Sequence, residues 1–212
     1  MKTKGEEREA EQIKGEAIWA HGMPHLDRNT LYVSFRPGRL IILDATKIDQ
    51  LKFLGQFNFT PPYPGRFHST VPVKGKDLLI ATNESSLPDC QEEPARLWVM
   101  DIRNKRNPIP IASYLPEGKE EFCRKGGRFG AHNIHEEIDG PLVYSVWFNA
   151  GLRILDISDP YKPKEIASYV PPADFGKPAV QLGDIFVDER GLIYVTDRWG
   201  GGLYILEYTR KR

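Results

Sequence analysis

The sequence of 212 residues holds only two cysteines, Cys90 and Cys123, and neither belongs to a CxxC pair. That excludes zinc-ribbon sites and disulfide-dense scaffolds. In a reducing cytosol the two are expected as free thiols, with a disulfide closing one long insertion as the alternative. Net charge is also missing: 29 Lys and Arg stand against 29 Asp and Glu. A general polyanion binder needs surplus positive charge, so nucleic acid is not an expected partner. No apolar run is long enough to span a bilayer. The polar start MKTKGEEREAEQIKGEA has no apolar segment of the secretory kind. These two absences make a cytoplasmic protein without membrane contact the expectation. GxSxG, P-loop and dinucleotide fingerprints are absent as well.

What the sequence does hold is a repeat. LIILDATKIDQLKFLGQF, LWVMDIRNKRNPIPIASY, LRILDISDPYKPKEIASY and the shorter LYILEYT each carry an apolar strand ending in an acidic residue: Asp44, Asp101, Asp156 and Glu207. Another strand precedes each copy: TLYVSF, DLLIAT, LVYSVW and LIYVTD. A polar segment precedes each of those. A period of roughly 50 residues suits one propeller blade of four short strands. The expected fold is all-β: a β-propeller of about four blades, over about 18–62, 63–118, 119–175 and 176–212. Residues 1–17 are expected as a polar arm or short helix. Trp98, Trp147 and Trp199 sit near strand runs and are expected in the packing. Two long connections interrupt the pattern: NESSLPDCQEEPA and LPEGKEEFCRKGGRFG. Long loops on a rigid sheet are where function tends to sit.

In a propeller the first strand of each blade lines the central channel. Counted back from the second strand, His21, His68 and His132 fall at matching positions within about a residue, and the fourth copy offers Gly183 and Asp184 there. Three imidazoles and a carboxylate on one axis are ligands for a divalent transition metal. His135 is an alternative fourth ligand. Glu84 and Glu136 are candidates to orient the imidazoles or to act as general base. Arg124, Lys125 and Arg128 are candidates for an anionic ligand near the channel mouth. The glycines of KGGRFG equally suit a tight turn that needs positive φ.

GLRILDISDPYKPKEIASY resembles the LVIVD repeat, with its apolar run, Asp and DISDP turn. FCRKGGRFGAHNIH, VWFNAGLRILDISDP and DIFVDERGLIYVTDRWGGGLYIL together resemble the C-terminal half of long LVIVD-repeat β-propeller proteins, from about Ile18 onward. Such propellers are similar in architecture to selenium-binding protein and methanethiol oxidase, so the resemblance implies metal held by channel-side histidines. It carries over to His21, His68, His132, His135 and Glu84. Fold alone does not fix function.

Together these readings give a metal-binding LVIVD-repeat propeller acting on a small molecule as oxidoreductase or hydrolase. The alternative is a non-catalytic scaffold for protein–protein interaction. Four copies make either a small four-bladed propeller or half of a larger ring. A half ring leaves two open sheet edges and an apolar flank, which proteins normally cover. The expected partner is a second copy of the chain or a separate N-terminal half-propeller.

Overall fold

The computed structural model describes residues 19–36, 38–61, 63 and 66–209. The arm expected over residues 1–17 lies outside them. Four antiparallel sheets follow one another along the chain, each a blade. Blade 1 contains β1 (His25–Asp27), β2 (Thr30–Phe35), β3 (Arg39–Asp44) and β4 (Lys52–Asn58). Blade 2 contains β5 (Arg66–Pro72), β6 (Leu78–Glu84), β7 (Leu97–Asp101) and β8 (Ile109–Tyr114). Blade 3 contains β9 (Leu142–Val146), β10 (Leu152–Asp156) and β11 (Lys164–Tyr169), with its inner edge formed by single bridges such as Ile134 to Ser145. Blade 4 contains β12 (Leu182–Val187), β13 (Leu192–Asp197) and β14 (Gly202–Glu207).

The acidic residue of the repeat has a local cause. Asp44 Oδ1 accepts the N–H of Thr46 at 2.9 Å, Asp101 Oδ1 that of Arg103 at 2.9 Å, and Asp156 Oδ1 that of Ser158 at 2.8 Å. Each carboxylate closes an Asx turn that ends the third strand of its blade. The register shifts at the same place in each of these blades, at Ile42/Leu43, Val99/Met100 and Ile154/Leu155. The bulge adds twist where the outer strand departs.

The core lies between blades. Tyr32, Leu40 and Ile42 of blade 1 pack on Leu79, Trp98 and Met100 of blade 2. Ile80, Leu97 and Val99 of blade 2 pack on Val143 and Leu155 of blade 3. Leu152 and Ile154 of blade 3 pack on Ile193 and Val195 of blade 4. Alternation along each strand therefore sends one set of side chains forward and the other back. Trp98 and Trp147 are buried in these layers, with their indole N–H groups satisfied by Asn83 and Ser145.

Two features correct the sequence reading. The connection after blade 2 contains a helix, α1 (Lys119–Lys125), with Glu120 and Glu121 in its first turn and Arg124 and Lys125 in its last. That charge order complements the helix dipole, and Phe122 anchors it in the core. The cysteines are not free thiols: Cys90 and Cys123 form a disulfide across 33 residues of sequence. The blade 2 insertion folds back onto α1, a tertiary approach that cysteine spacing does not encode. Cys123 is therefore no reactive thiol.

Candidate functional site

At one end of the inner edges, three histidines from successive blades stack. The rings of His21 and His68 meet edge-on at 4.5 Å between centroids, and those of His68 and His132 lie 4.2 Å apart. The stack ends on Phe148, 4.6 Å from His132. Backbone pairing sets this order. His21 N–H donates to the Ser34 carbonyl, His132 N–H donates to the Val146 carbonyl, and His68 sits in the bulge where Phe67 and Ser69 pair with β6.

Glu84, at the end of β6, is buried beside the stack. Its Oε2 accepts from Arg36 and lies 3.6 Å from His21 Nε2. Its Oε1 accepts from Arg128 Nη1 at 2.9 Å and lies 3.7 Å from His132 Nε2. A buried carboxylate needs such partners, since an unpaired charge there is costly. One ligand atom from each of His21, His68 and Glu84 lies within 4.8 Å of the others.

The hydrogen bonds fix the tautomers. His132 Nδ1 lies 2.6 Å from the carbonyl of Gly183, which can only accept, so Nδ1 carries the proton and Nε2 keeps its lone pair. Ser69 donates its hydroxyl to Asn133 Oδ1 at 3.3 Å and therefore accepts from His68 Nδ1 at 2.8 Å, leaving His68 Nε2 a lone pair as well. The guanidinium of Arg36 can only donate, so the 2.8 Å contact makes His21 Nε2 the acceptor. Burial, with His132, His21 and nearby arginines, pushes the His68 pKa down to about 2. Burial pushes His132 down to about 4, with Glu84 and the Gly183 carbonyl opposing. Burial and then Arg36 lower His21, against Glu84. All three imidazoles are neutral at pH 7.

The segment after α1 delivers Arg128. Gly126 and Gly127 have φ of 87° and 79°, as the turn reading of KGGRFG requires. A Cβ on Gly127 would meet Gln181 Nε2 at 2.7 Å and Trp199 at 2.8 Å, so the position is closed to larger residues. Asp89 of the insertion holds Gly127 from the other side, through both its N–H and its carbonyl. Arg128 and Arg198 both face the ring of Phe148, at 5.6 and 5.9 Å, on a cleft of about 380 Å³ that Gln181 and Trp199 also line. Phe148 itself has φ of 46°, a strained value for an aromatic residue.

Of the ten residues singled out in the sequence, His21, His68, His132, Glu84 and Arg128 come together. Asp184 does not join them: its Oδ1 accepts the neighbouring Ile185 N–H and the residue is exposed, while Gly183 occupies the position that matches the histidines. His135 Nδ1 accepts from Val187 N–H at 3.2 Å and its ring meets Phe186, outside the Glu84 group. Glu136 lines a separate cleft with His25 and Lys74. Lys125 pairs with Glu121 at 2.7 Å and covers the Phe122 ring, and Arg124 is exposed. Sequence reasoning missed Arg36 and Arg198. Arg36 follows an apolar strand, in VSFRPG, where a cation without a nearby acid implies a distant partner.

Residues 137–170 match the LVIVD repeat. No curated protein matches the chain. Among solved structures, a hypothetical selenium-binding protein from Sulfolobus tokodaii is similar at TM-score 0.56 and 15% identity, over 85% of this chain and 46% of that one. A Bacteroides thetaiotaomicron protein of unknown function is similar at TM-score 0.53 and 11% identity, over 89% of this chain and 41% of that one. The β-propeller domain of a Myceliophteria thermophila protein is similar at TM-score 0.63 and 12% identity, over 99% of this chain and 57% of that one. The chain thus spans about half the length of these structures, and the likeness is one of fold. Among the described residues no helix is long and apolar enough to cross a membrane. Four antiparallel blades in series give this chain a β-propeller-type fold, and its third blade carries the segment that matches the LVIVD repeat.

Proposed function

We propose that the stacked histidines hold a divalent transition metal, with His21, His68 and His132 as ligands and Glu84 as the adjacent carboxylate, and that the site acts on a small anionic molecule. The observation that carries this reading is the tautomer set. His68 and His132 spend Nδ1 on fixed acceptors and keep Nε2 free, and burial keeps both neutral. Neutral imidazoles with fixed rings are what a borderline metal requires. The third ligand, His21 Nε2, is held by Arg36, so binding exchanges that guanidinium for the ion. Three imidazoles leave an open coordination position, which supplies a Lewis acid or an activated water for oxidoreductase or hydrolase chemistry. Glu84, once relieved of Arg36, is the group placed to take a proton there. Arg128 and Arg198 flank the neighbouring cleft and suit a carboxylate or phosphate on the substrate.

The test is elemental analysis of tag-free protein beside a His68→Ala/His132→Ala variant and a His135→Ala control, each checked for folding by circular dichroism. About one metal per chain, lost in the double variant and kept in the control, is expected. Folded wild-type protein without stoichiometric metal overturns the reading in favour of a non-catalytic scaffold.

A further inference from the structure

The repeat assigns each blade a forward and a backward face, and among the described residues only one forward face is left bare. Leu40 and Ile42 of blade 1 and Leu97 and Val99 of blade 2 are 0% exposed, and Leu152 and Ile154 of blade 3 are 3% and 2% exposed, each pair against the next blade. Their counterparts in blade 4, Leu203 and Ile205, are 56% and 58% exposed. Tyr194 pairs with Ile205 on the same face, and Phe186 pairs with Tyr194. The result is an apolar row across all three strands.

The surface that fits a forward face is a backward face, as three interfaces within the chain demonstrate. The chain carries one further backward face, on blade 1. Leu26 pairs with Leu31, Leu31 with Leu43 and Leu43 with Phe53, so the four share one side of the sheet. The ends of that row, Leu26 and Phe53, are 57% and 60% exposed.

A polar bond supplies the register. Ser34 Oγ donates to the His68 carbonyl at 2.6 Å, and Thr82 Oγ1 donates to the His132 carbonyl at 2.6 Å. Each hydroxyl stands on the second strand of a blade and each carbonyl on the inner edge of the next. Thr196 occupies the same place on β13 and is exposed, and its hydroxyl makes no hydrogen bond among the described residues. The inner-edge residue of blade 1 is His21, in line with His68 and His132.

We propose that a second copy of the chain docks its blade 1 on blade 4 of the first, and that the first returns the contact, closing a ring of two chains about a twofold axis. Thr196 of each copy donates to the His21 carbonyl of the other. The interface continues the blade-to-blade packing already present, with the same residue types in the same register. Each copy's blade 4 inner edge, at Gly183 and Asp184, then lies beside the other copy's His21. This inference stands independently of whether the histidines bind metal.

Light scattering after size exclusion, over a hundredfold range of concentration, tests it. The wild-type chain is expected at twice its single-chain mass. Leu203→Glu/Ile205→Glu on the forward face and Leu26→Glu/Phe53→Glu on the backward face each reduce this to one chain mass. These side chains are exposed, so both variants keep the blade fold, as circular dichroism and a thermal melt verify. Mixing the two variants re-forms a two-chain species, because one of the two contacts is then wild type on both sides. A wild-type monomer throughout, a mass that grows without limit, a dimer indifferent to both variants, or a mixture that stays monomeric overturns the proposal. So does a monomer whose blade 4 is occupied by a different polypeptide.

Discussion

Thr82 donates its hydroxyl to the carbonyl of His132 across the boundary between blades 2 and 3, at 2.6 Å. Both groups are buried. The bond fixes the height of His132 against its neighbour and so the spacing of the ring stack. Thr82→Val keeps the shape and removes the donor. It is expected to cost about 1–3 kcal/mol, the range for leaving a buried acceptor short. Urea unfolding measures the loss, and an unchanged midpoint would remove the bond from the account of how the stack is held. The natural chain has Val146 at the corresponding position in blade 3, where His132 and Asn133 side chains serve the Gly183 carbonyl instead.

Arg36 bridges His21 and Glu84. Arg36→Met keeps much of the side-chain volume and removes the internal cation. Glu84 then relies on Arg128 alone, and stability should fall by about 3 kcal/mol as a buried pair is broken. Metal affinity should move the other way, tightening by at least about tenfold because His21 Nε2 no longer has to be vacated. Isothermal titration with zinc, paired with a thermal melt, separates the two effects. A variant that loses both stability and affinity would mean that Arg36 builds the site and does not block it.

The disulfide joins the blade 2 insertion to α1 at Cys123, three residues before Gly126 of the Gly126–Gly127 turn that sets Arg128. Reduction is expected to lower stability by about 2–4 kcal/mol. It should also speed amide exchange around Asp89 and Gly127, whose mutual hydrogen bonds depend on that docking. Hydrogen exchange with and without dithiothreitol reads this directly. Equal exchange in both states would show that the insertion is held by its polar contacts, among them the Lys119–Glu93 pair.

Burial lowers the pKa of His132 to about 4 and that of His68 further. Unfolding returns each to about 6.5, the value of a free imidazole. Between about 4 and 6.5 the unfolded chain therefore binds more protons than the folded one, and stability rises with pH through that window. The slope is up to about 1.4 kcal/mol per pH unit for each histidine, and these two contribute no slope above it. Denaturant unfolding of metal-stripped protein across the window measures this. A His132→Gln variant, which keeps a donor toward Gly183, should lose about one proton of the dependence.

The repeat was legible because strand alternation and the Asx turns that end each third strand are local, and local rules print themselves on the sequence. From Asp44, Asp101 and Asp156 one could count blades. From the inner-edge register one could bring His21, His68 and His132 to one place. Asp184 shows the limit of such counting. A bulge puts Gly183 at the matching position, and a shift of one residue turns the carboxylate to the other face. Only the tertiary structure decided the disulfide, the short helix and the pairing of Arg36 and Arg128 with Glu84. The disulfide and the two pairings join segments tens of residues apart through chain paths that no periodicity encodes, and the helix is anchored by Phe122 in the core. The sequence by itself determined the blades and the direction each one faces. The tertiary structure decided which polar groups share the inner edge, and it left one forward face bare, because burial depends on the neighbour that a strand meets and not on the strand alone.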